Sequence, residues 1–495
     1  MNLLLVYPEF PETFWSYKKA LKFVSKKSGS PPLGLLTVAA MLPAEWNIKV
    51  VDMNVSPLRN SSIRKADFVF ISGMSVQQES ARKVIELCAR LGTKTVAGGP
   101  LFTTGWENFP RVDHFVLNEA ELTLPEFLRD IQKGTARRIY STEQWPDITD
   151  TPLPRWDLIK MKKYASMSVQ HSRGCPFDCE FCDITLLYGR KTRVKTSSQI
   201  TAELDNIYSH GWRENVFFVD DNFIGSKTIL KRETLPAIIR WMEEHRYPFT
   251  FNTQASINIA DDKELLRLMG KAGFTRVFVG IETPNEESLK ECSKVQNINR
   301  DMIASIKIIN QHGMEVQGGF IVGFDSDPAS IFEDQIRFIQ ESTVVTAMVG
   351  LLTALKGTKL YLRLKRENRL VSEETGNNTD LSINFKPAMN LDILLNGYKK
   401  IVSTIYSPKY YYKRVMDFLK IYSPPVKRFF RFRPIHILTL IKSLVLLGII
   451  GKERFQYWKL MLWTIFRRPR YFPLASTLAI YGFHYRKVFE KLPRV

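Results

Sequence analysis

Apolar residues in the first 130 or so positions fall into short runs separated by amphipathic stretches. Residues 3–6 (Leu-Leu-Leu-Val) form an unbroken apolar run of the buried-strand kind. Similar runs recur at 48–51, 68–72, 93–97 and 114–117. Between them, residues 34–41, 80–91 and 122–131 repeat their apolar positions at helical spacing. Short buried strands alternating with helices predict an α/β fold with a doubly wound, Rossmann-like parallel sheet. Ligands of such sheets lie beyond the carboxyl ends of the strands. The candidate loops are therefore Tyr7-Pro8, Asp52, Ser72-Gly73-Met74-Ser75, Gly98-Gly99 and Asn118-Glu119.

Residues 139–160 are rich in Pro, Asp and Thr, lack periodicity and read as a linker. A second alternating series follows. Strands are expected at 166–170, 215–219, 249–254, 276–281, 315–322 and 346–351. Helices are expected at 199–209, 233–245, 262–272, 301–311 and 329–340. Six strand–helix units suit a partial (β/α)6 barrel, with chemistry at the carboxyl ends of the strands. From about 396 the pattern is helix only. The expected division is 1–138, a linker at 139–160, 161–395 and an α-helical 396–495. The apolar stretch 435–450 is interrupted by His436 and Lys442 and is shorter than the ~20 residues of a membrane span.

At 44% hydrophobic and 24% charged, the 495-residue chain is not a disordered one. Its formal charge of +20 is unevenly placed. Residues 401–495 hold 19 Lys/Arg against three acids (Asp417, Glu453 and Glu490), and 20 of the 59 aromatics. Basic and aromatic residues interleave at 427–433, 455–458 and 466–472. Such a tail suits the surface of an anionic membrane. A plain helical cap and, less well supported, nucleic-acid binding are the other readings. As a surface attachment, the tail is expected to be removable after about residue 400 without loss of the chemistry.

Cysteine changes the picture most. Of Cys88, Cys175, Cys179, Cys182 and Cys292, three cluster within eight residues as C-x3-C-x2-C after the first strand of the second series. The opening residues lack a secretory pattern, so a reducing, cytoplasmic setting is expected. Three thiolates on one loop can hold three irons of a [4Fe–4S] cube and leave the fourth open. The alternative is a zinc site completed by His171 or Asp183. Cys88 and Cys292 are expected to stay outside the cluster, Cys88 as a buried helix thiol.

The cysteine segment resembles the radical S-adenosylmethionine (SAM) superfamily, whose C-x3-C-x-aromatic-C motif Cys175, Cys179, Phe181 and Cys182 match. The resemblance implies that the open iron chelates SAM and that reductive cleavage yields a 5′-deoxyadenosyl radical. A flavodoxin- or ferredoxin-type reductant is implied with it. Asp220 and Asp221 in Val219-Asp220-Asp221-Asn222-Phe223 stand where the family contacts the SAM amino group. Gln254, Glu282 (in Gly280-Ile281-Glu282-Thr283) and Gly323 end the following strands and are expected at the mouth.

A doubly wound sheet before such a barrel resembles the cobalamin-binding radical SAM proteins. Pro31-Pro32-Leu33-Gly34-Leu35, Ser72-Gly73-Met74-Ser75, Ala97-Gly98-Gly99-Pro100 and Asn118-Glu119-Ala120-Glu121 carry the likeness. Gly34, Ser72, Met74, Ser75, Gly98 and Gly99 are the implied cobalamin contacts. The D-x-H-x-x-G loop of many cobalamin proteins is absent: the first loop is Val6-Tyr7-Pro8-Glu9-Phe10, and His114 is the sole histidine before residue 150. The lower face of cobalt is therefore expected to lack an imidazole. Residues 174–189, 217–225, 277–284 and 351–370 further resemble hopanoid C-2 methylase-like proteins. Where that group has a Leu-Pro-x-Thr turn, this chain has Leu355-Lys356-Gly357-Thr358, expected to be a looser turn. The resemblance implies methylation of an unactivated carbon on a lipid or isoprenoid, at the inner face of a membrane. Radical cyclisation, rearrangement or oxidation, or RNA modification, are the alternatives.

Overall fold

The computed structural model describes residues 1–377, 381–424 and 434–491. The basic aromatic run at 427–433 lies outside them. β1 (Asn2–Tyr7), β2 (Asn47–Asp52), β3 (Phe68–Ser72), β4 (Lys94–Gly98) and β5 (His114–Val116) form a parallel sheet. β6 (Ile139–Tyr140) completes the order 2-1-3-4-5-6. Side chains alternate across the sheet. Leu4, Val6, Val69 and Ile71 pack into one core, and Leu3, Leu5 and Phe70 into the other. Both faces are covered, which is why these strands read as unbroken apolar runs.

β6 differs from expectation, because its residues open the stretch read as a linker. Tyr140 is buried, and its hydroxyl donates to Asp130 Oδ2 at 2.8 Å. Two paired residues suffice at a sheet edge, too few to leave an alternating signal.

β7 (Ser166–Val169) begins the second series, followed by a small antiparallel pair, β8 (Ser172–Arg173) and β9 (Arg193–Val194). β10 (Asn215–Phe218), β11 (Thr250–Gln254), β12 (Phe274–Glu282), β13 (Glu315–Val322) and β14 (Thr346–Leu351) continue from β7. All six pair in parallel and in chain order, 7-10-11-12-13-14, the topology of an open partial barrel. On β11, Phe251 and Thr253 face the buried side while Asn252 and Gln254 face the half-buried interior.

The C-terminal helices are Leu391–Ile405, Pro408–Ile421, Pro434–Ser443, Arg454–Arg467 and Phe472–Phe489. Pro434–Ser443 runs on through a π-helical turn, Leu444–Ile449. They are not a detachable tail. Tyr398, Tyr406, Tyr411, Tyr485 and Phe489 join the same hydrophobic core as the barrel strands. Arg414 is wholly buried there, with Nη1 donating to Gln340 Oε1 at 2.6 Å and Nη2 to Val345 O at 3.2 Å. The expectation that the segment can be cut off after residue 400 therefore fails, since cutting would bare the barrel's own core. Much of the tail's aromatic content is core rather than surface. Among the described residues, no helix is long and apolar enough to cross a membrane.

His484 closes the body. Its ring is buried, its Nε2 lies 3.1 Å from Phe14 O, and it stacks on Tyr17. Burial lowers its pKa from 6.5 to about 4. A base with a depressed folded-state pKa stabilises the fold above its unfolded value and loses that contribution as pH falls towards the folded one. Unfolding midpoints should therefore drop between pH 6.5 and 4 by the equivalent of up to about 3 kcal/mol. His484→Gln keeps a donor for Phe14 O and does not titrate. It should lose this part of the acid slope, and superimposable pH profiles for the two proteins would refute the assignment.

Candidate active site

The order of the first sheet reverses between β1 and β3, so a crevice opens at their carboxyl ends. Gln77 fixes both of its walls. Its Nε2 donates to Pro8 O at 2.5 Å and its Oε1 accepts from Met74 N at 2.8 Å. Gln77 is fully buried, yet nothing in its sequence context marks it. Met74 is exposed, Ser72 lies half-buried at the end of β3, and Ser75 starts the turn that follows. Gly34 has open space where a side chain would stand. At Gly98 and Gly99 the space that a side chain would take is filled by protein. A Cβ at Gly98 would lie 2.5 Å from Val116 O, and one at Gly99 2.5 Å from Ser72 Oγ. Gly99 also has φ +87°, which favours glycine.

Glu119 and Glu121, which follow β5, tie the first sheet to the barrel. Arg173, between β7 and the cysteine loop, donates from Nη1 to Glu119 at 2.5 Å and from Nη2 to Glu121 at 2.8 Å. Arg193 Nη2 adds a bond to Glu119 at 2.7 Å. Opposite charges from the first sheet and the barrel thus meet in a buried cluster beside the cysteines.

The cysteine loop is drawn tight by Gly174 at φ +89°, where a Cβ would press on the carbonyls of Lys191, Gly189 and Tyr188. Cys179 is buried and Cys175 and Cys182 are half-buried. Burial pushes the Cys175 and Cys182 thiols up, while the N–H groups of Phe177 and Ile184 point at them and favour the thiolates. Gln296 Nε2 stands 3.9 Å from Cys179 Sγ. Lys294 donates to Glu282 Oε1 at 2.6 Å and lies over the Phe181 ring. Burial opposes its charge, but Glu282 and the Cys179 and Cys182 thiols outweigh burial and raise its pKa. Glu282 itself sits in a left-handed conformation, φ +67°, at a bulge where β12 leaves β13.

Asp220 and Asp221 part company. Asp220 is fully buried and serves the backbone, accepting from Ser172 N at 2.5 Å and His171 N at 3.2 Å. It holds the strand end. Asp221 accepts from Gly174 N at 3.0 Å, and burial pushes its carboxyl up to about 7. Gln254 is half-buried on the barrel interior beside Asn252, whose Oδ1 is buried without a partner. Gly323, at φ +109°, donates its N–H to Asp327 at 2.8 Å. Trp15 reaches in from the N-terminal segment to Phe278, ring centroids 5.2 Å apart.

The two remaining cysteines and the zinc alternative are placed as well. Cys88 lies in the core of the first sheet. The Cys292 thiol is turned onto Leu289 O at 3.6 Å. The His171 ring is packed on Phe223, with Nε2 3.2 Å from Thr234 Oγ1, so it is turned into the core. The turn at Leu355 to Thr358 is well defined rather than loose: Thr358 N and Oγ1 both donate to Leu355 O, at 3.1 and 2.7 Å.

The chain matches the B12 binding domain over residues 24–128, the radical SAM superfamily over 169–339 and a domain of unknown function (DUF4070) over 358–494. It is 41% identical to an uncharacterized methyltransferase of Synechocystis sp., over 98% of this chain and 91% of the relative. It is 32% identical to the hopanoid C-2 methylase of Rhodopseudomonas palustris, over 83% of this chain and 78% of that protein. The chain belongs to the cobalamin-binding radical SAM family. This radical SAM enzyme shares its fold with the cobalamin-dependent enzyme OxsB, at TM-score 0.64 and 15% identity, covering 99% of this chain and 79% of the other. TsrM of Kitasatospora setae gives 0.61 and 14%, covering 97% and 99%.

The cofactors of this radical SAM enzyme are a [4Fe–4S] cluster, SAM and cobalamin. The donor set fits them. Three thiols share one loop with N–H groups aimed at two of them and a cation alongside, as an anionic thiolate cluster requires. The unpartnered Asn252 Oδ1 leaves an acceptor inside the barrel for a bound donor. Gly34 has open space at its Cβ position and Met74 is exposed, so protein fills neither position.

Proposed function

We propose that this methyltransferase modifies an unactivated carbon of a lipid or isoprenoid of hopanoid type, working at the inner face of a membrane. The observation that carries the reading is the likeness to a hopanoid C-2 methylase, 32% identical over 83% of the chain. When bound, the three cofactors together supply hydrogen-atom abstraction and a transferable methyl group, which suits a carbon that no side-chain base can deprotonate.

The chain's own residues have definite parts in this reading. Cys175, Cys179 and Cys182 ligate the cluster, and Phe181 packs beneath Lys294 beside it. Lys294, held by Glu282, offsets the negative charge of the thiolates and is a cation within reach of a carboxylate. Asp221, Asn252, Gln254 and Gly323 present polar groups at the barrel mouth, the first suited to an ammonium. Ser72, Met74, Ser75 and Gly34 line the crevice for cobalamin, while Gly98 and Gly99 fix its floor. His114, the histidine of the first sheet among the described residues, stands at the amino end of β5, away from that edge, its Nδ1 2.7 Å from Arg137 O. Cobalamin would thus be held there without a histidine of the first sheet. Trp15 and Phe278 offer an apolar wall to a polycyclic substrate. Electrons would come from a flavodoxin- or ferredoxin-type donor.

Comparative lipid mass spectrometry of strains with and without the gene tests this. The deletion strain should lose one lipid and accumulate a form lighter by one methylene. Unchanged lipids with an altered RNA digest would reverse the substrate assignment.

A further inference from the structure

Twelve of the 25 large apolar side chains exposed among the described residues lie between Ile437 and Phe466, which makes them a patch rather than a scatter. They occupy two consecutive helices. On the first, Ile441, Ile449 and Ile450 face outward. On the second, Phe455, Leu462 and Phe466 recur at helical spacing along one stripe. Ile449 and Ile450 are 65% and 68% exposed, and Phe455 and Phe466 75% and 79%. Trp458 joins the two helices, its Nε1 donating to Gly448 O at 2.9 Å while the ring stays half in solvent.

The charges around this face have one sign. Lys452, Arg454, Lys459, Arg467 and Arg470 are exposed on the same pair of helices and their connections. Lys442, which interrupts the apolar run in the sequence, is turned off the face onto Lys22 O at 3.1 Å. The acids among residues 434–491 are both occupied: Glu453 is buried against Arg486, and Glu490 pairs with Lys487 at 2.7 Å. No carboxylate therefore faces outward unpaired in this region.

We propose that helices Pro434–Ser443 and Arg454–Arg467, with the turn between them, form a wedge that inserts into one leaflet of an anionic bilayer. The inference rests on the reading of a membrane-borne substrate and assigns the surface that reaches it. Exposed apolar stripes ringed by Lys and Arg are the chemistry of interfacial helices. Each basic group near anionic headgroups strengthens binding roughly fivefold. A second copy of the chain fits less well, since a twofold contact would press five cations against their own images. Lys442 leans on residues 22–25, and that segment continues from Trp15 at the barrel interior. The wedge thus lies beside the segment that carries Trp15 to Phe278.

The test uses the full chain with its cofactors, floated with phosphatidylcholine vesicles with or without phosphatidylglycerol. Wild type should float with the phosphatidylglycerol vesicles and respond only in part to salt, because the apolar contacts are not screened. Ile449→Ser/Phe455→Ser/Phe466→Ser should reduce the bound fraction at least about tenfold. Lys452→Glu/Lys459→Glu should reduce it about as much on the anionic vesicles alone. SAM cleavage, read on the same samples, should persist in both variants. Should the triple variant lose it, Phe466→Ser alone carries the test. Wild type remaining at the bottom of both gradients would overturn the proposal, as would a triple variant that floats like wild type. A dimer that the triple variant dissolves would assign the face to a second copy instead. Failure of the substrate reading is seen separately, in lipid profiles that deletion leaves unchanged.

Discussion

Cys179→Ala is expected to strip the protein of its iron and bring SAM cleavage down to the uncatalysed background. Cys179 is the most buried of the three clustered thiols, and Gln296 and Lys294 are arranged about it. An iron–sulfur cube held by three thiolates is not retained by two. The backbone around the loop is fixed independently, by the Gly174 turn and by the N–H groups of Ser172 and Gly174 donating to Asp220 and Asp221, so the variant should fold. Iron analysis and 5′-deoxyadenosine release measure the two losses. Cys88→Ala is the control. It removes a buried thiol from the first sheet, should cost about 1 kcal/mol and should leave iron untouched. Iron lost from the Cys88 variant, or kept by the Cys179 variant, would overturn the ligand assignment.

Arg173→Met should destabilise the protein by about 3–5 kcal/mol, because it leaves two buried carboxylates with one guanidinium between them. Glu121 would keep only Thr151, and Glu119 only Arg193. Denaturant unfolding measures the loss. The double variant Arg173→Met/Glu121→Gln should recover a large part of it, since the stranded charge is gone. A double variant as unstable as the single one would show that packing of the Arg173 stem, not its charge, matters. The cluster loop follows Arg173 directly, so iron retention should weaken in the single variant and return in the double.

The two parallel sheets were legible because a strand buried on both faces leaves a continuous apolar run, as at Leu3 to Val6. The cysteine spacing was legible because three thiols sit on one loop. What escaped was whatever depends on partners far along the chain. Gln77, Arg173, Arg193 and Lys294 are ordinary polar residues until the fold brings Pro8, Glu119 and Glu282 to them. Asp220 and Asp221 are adjacent in sequence, yet one turns to backbone inside the barrel and the other towards the loop. The tail's composition was plain, but composition does not separate Tyr411 in the core from Phe455 in solvent. That separation depends on helix phase against neighbours the sequence does not name.

The contact of His484 with Phe14 joins positions 470 residues apart. The entropy of closing so long a loop grows only with the logarithm of its length, so the contact is little weakened at equilibrium. Its effect is on time. Helices can form locally within about a microsecond, but a body whose core is completed by such distant partners must search for them. Refolding of this enzyme should accordingly be slow for its stability, and its last step the docking of helix Phe472–Phe489 on the N-terminal segment. Until then the tyrosines of that helix and the aromatic face beneath them stay wet, which makes the unfinished chain, rather than the native one, the form most prone to aggregate.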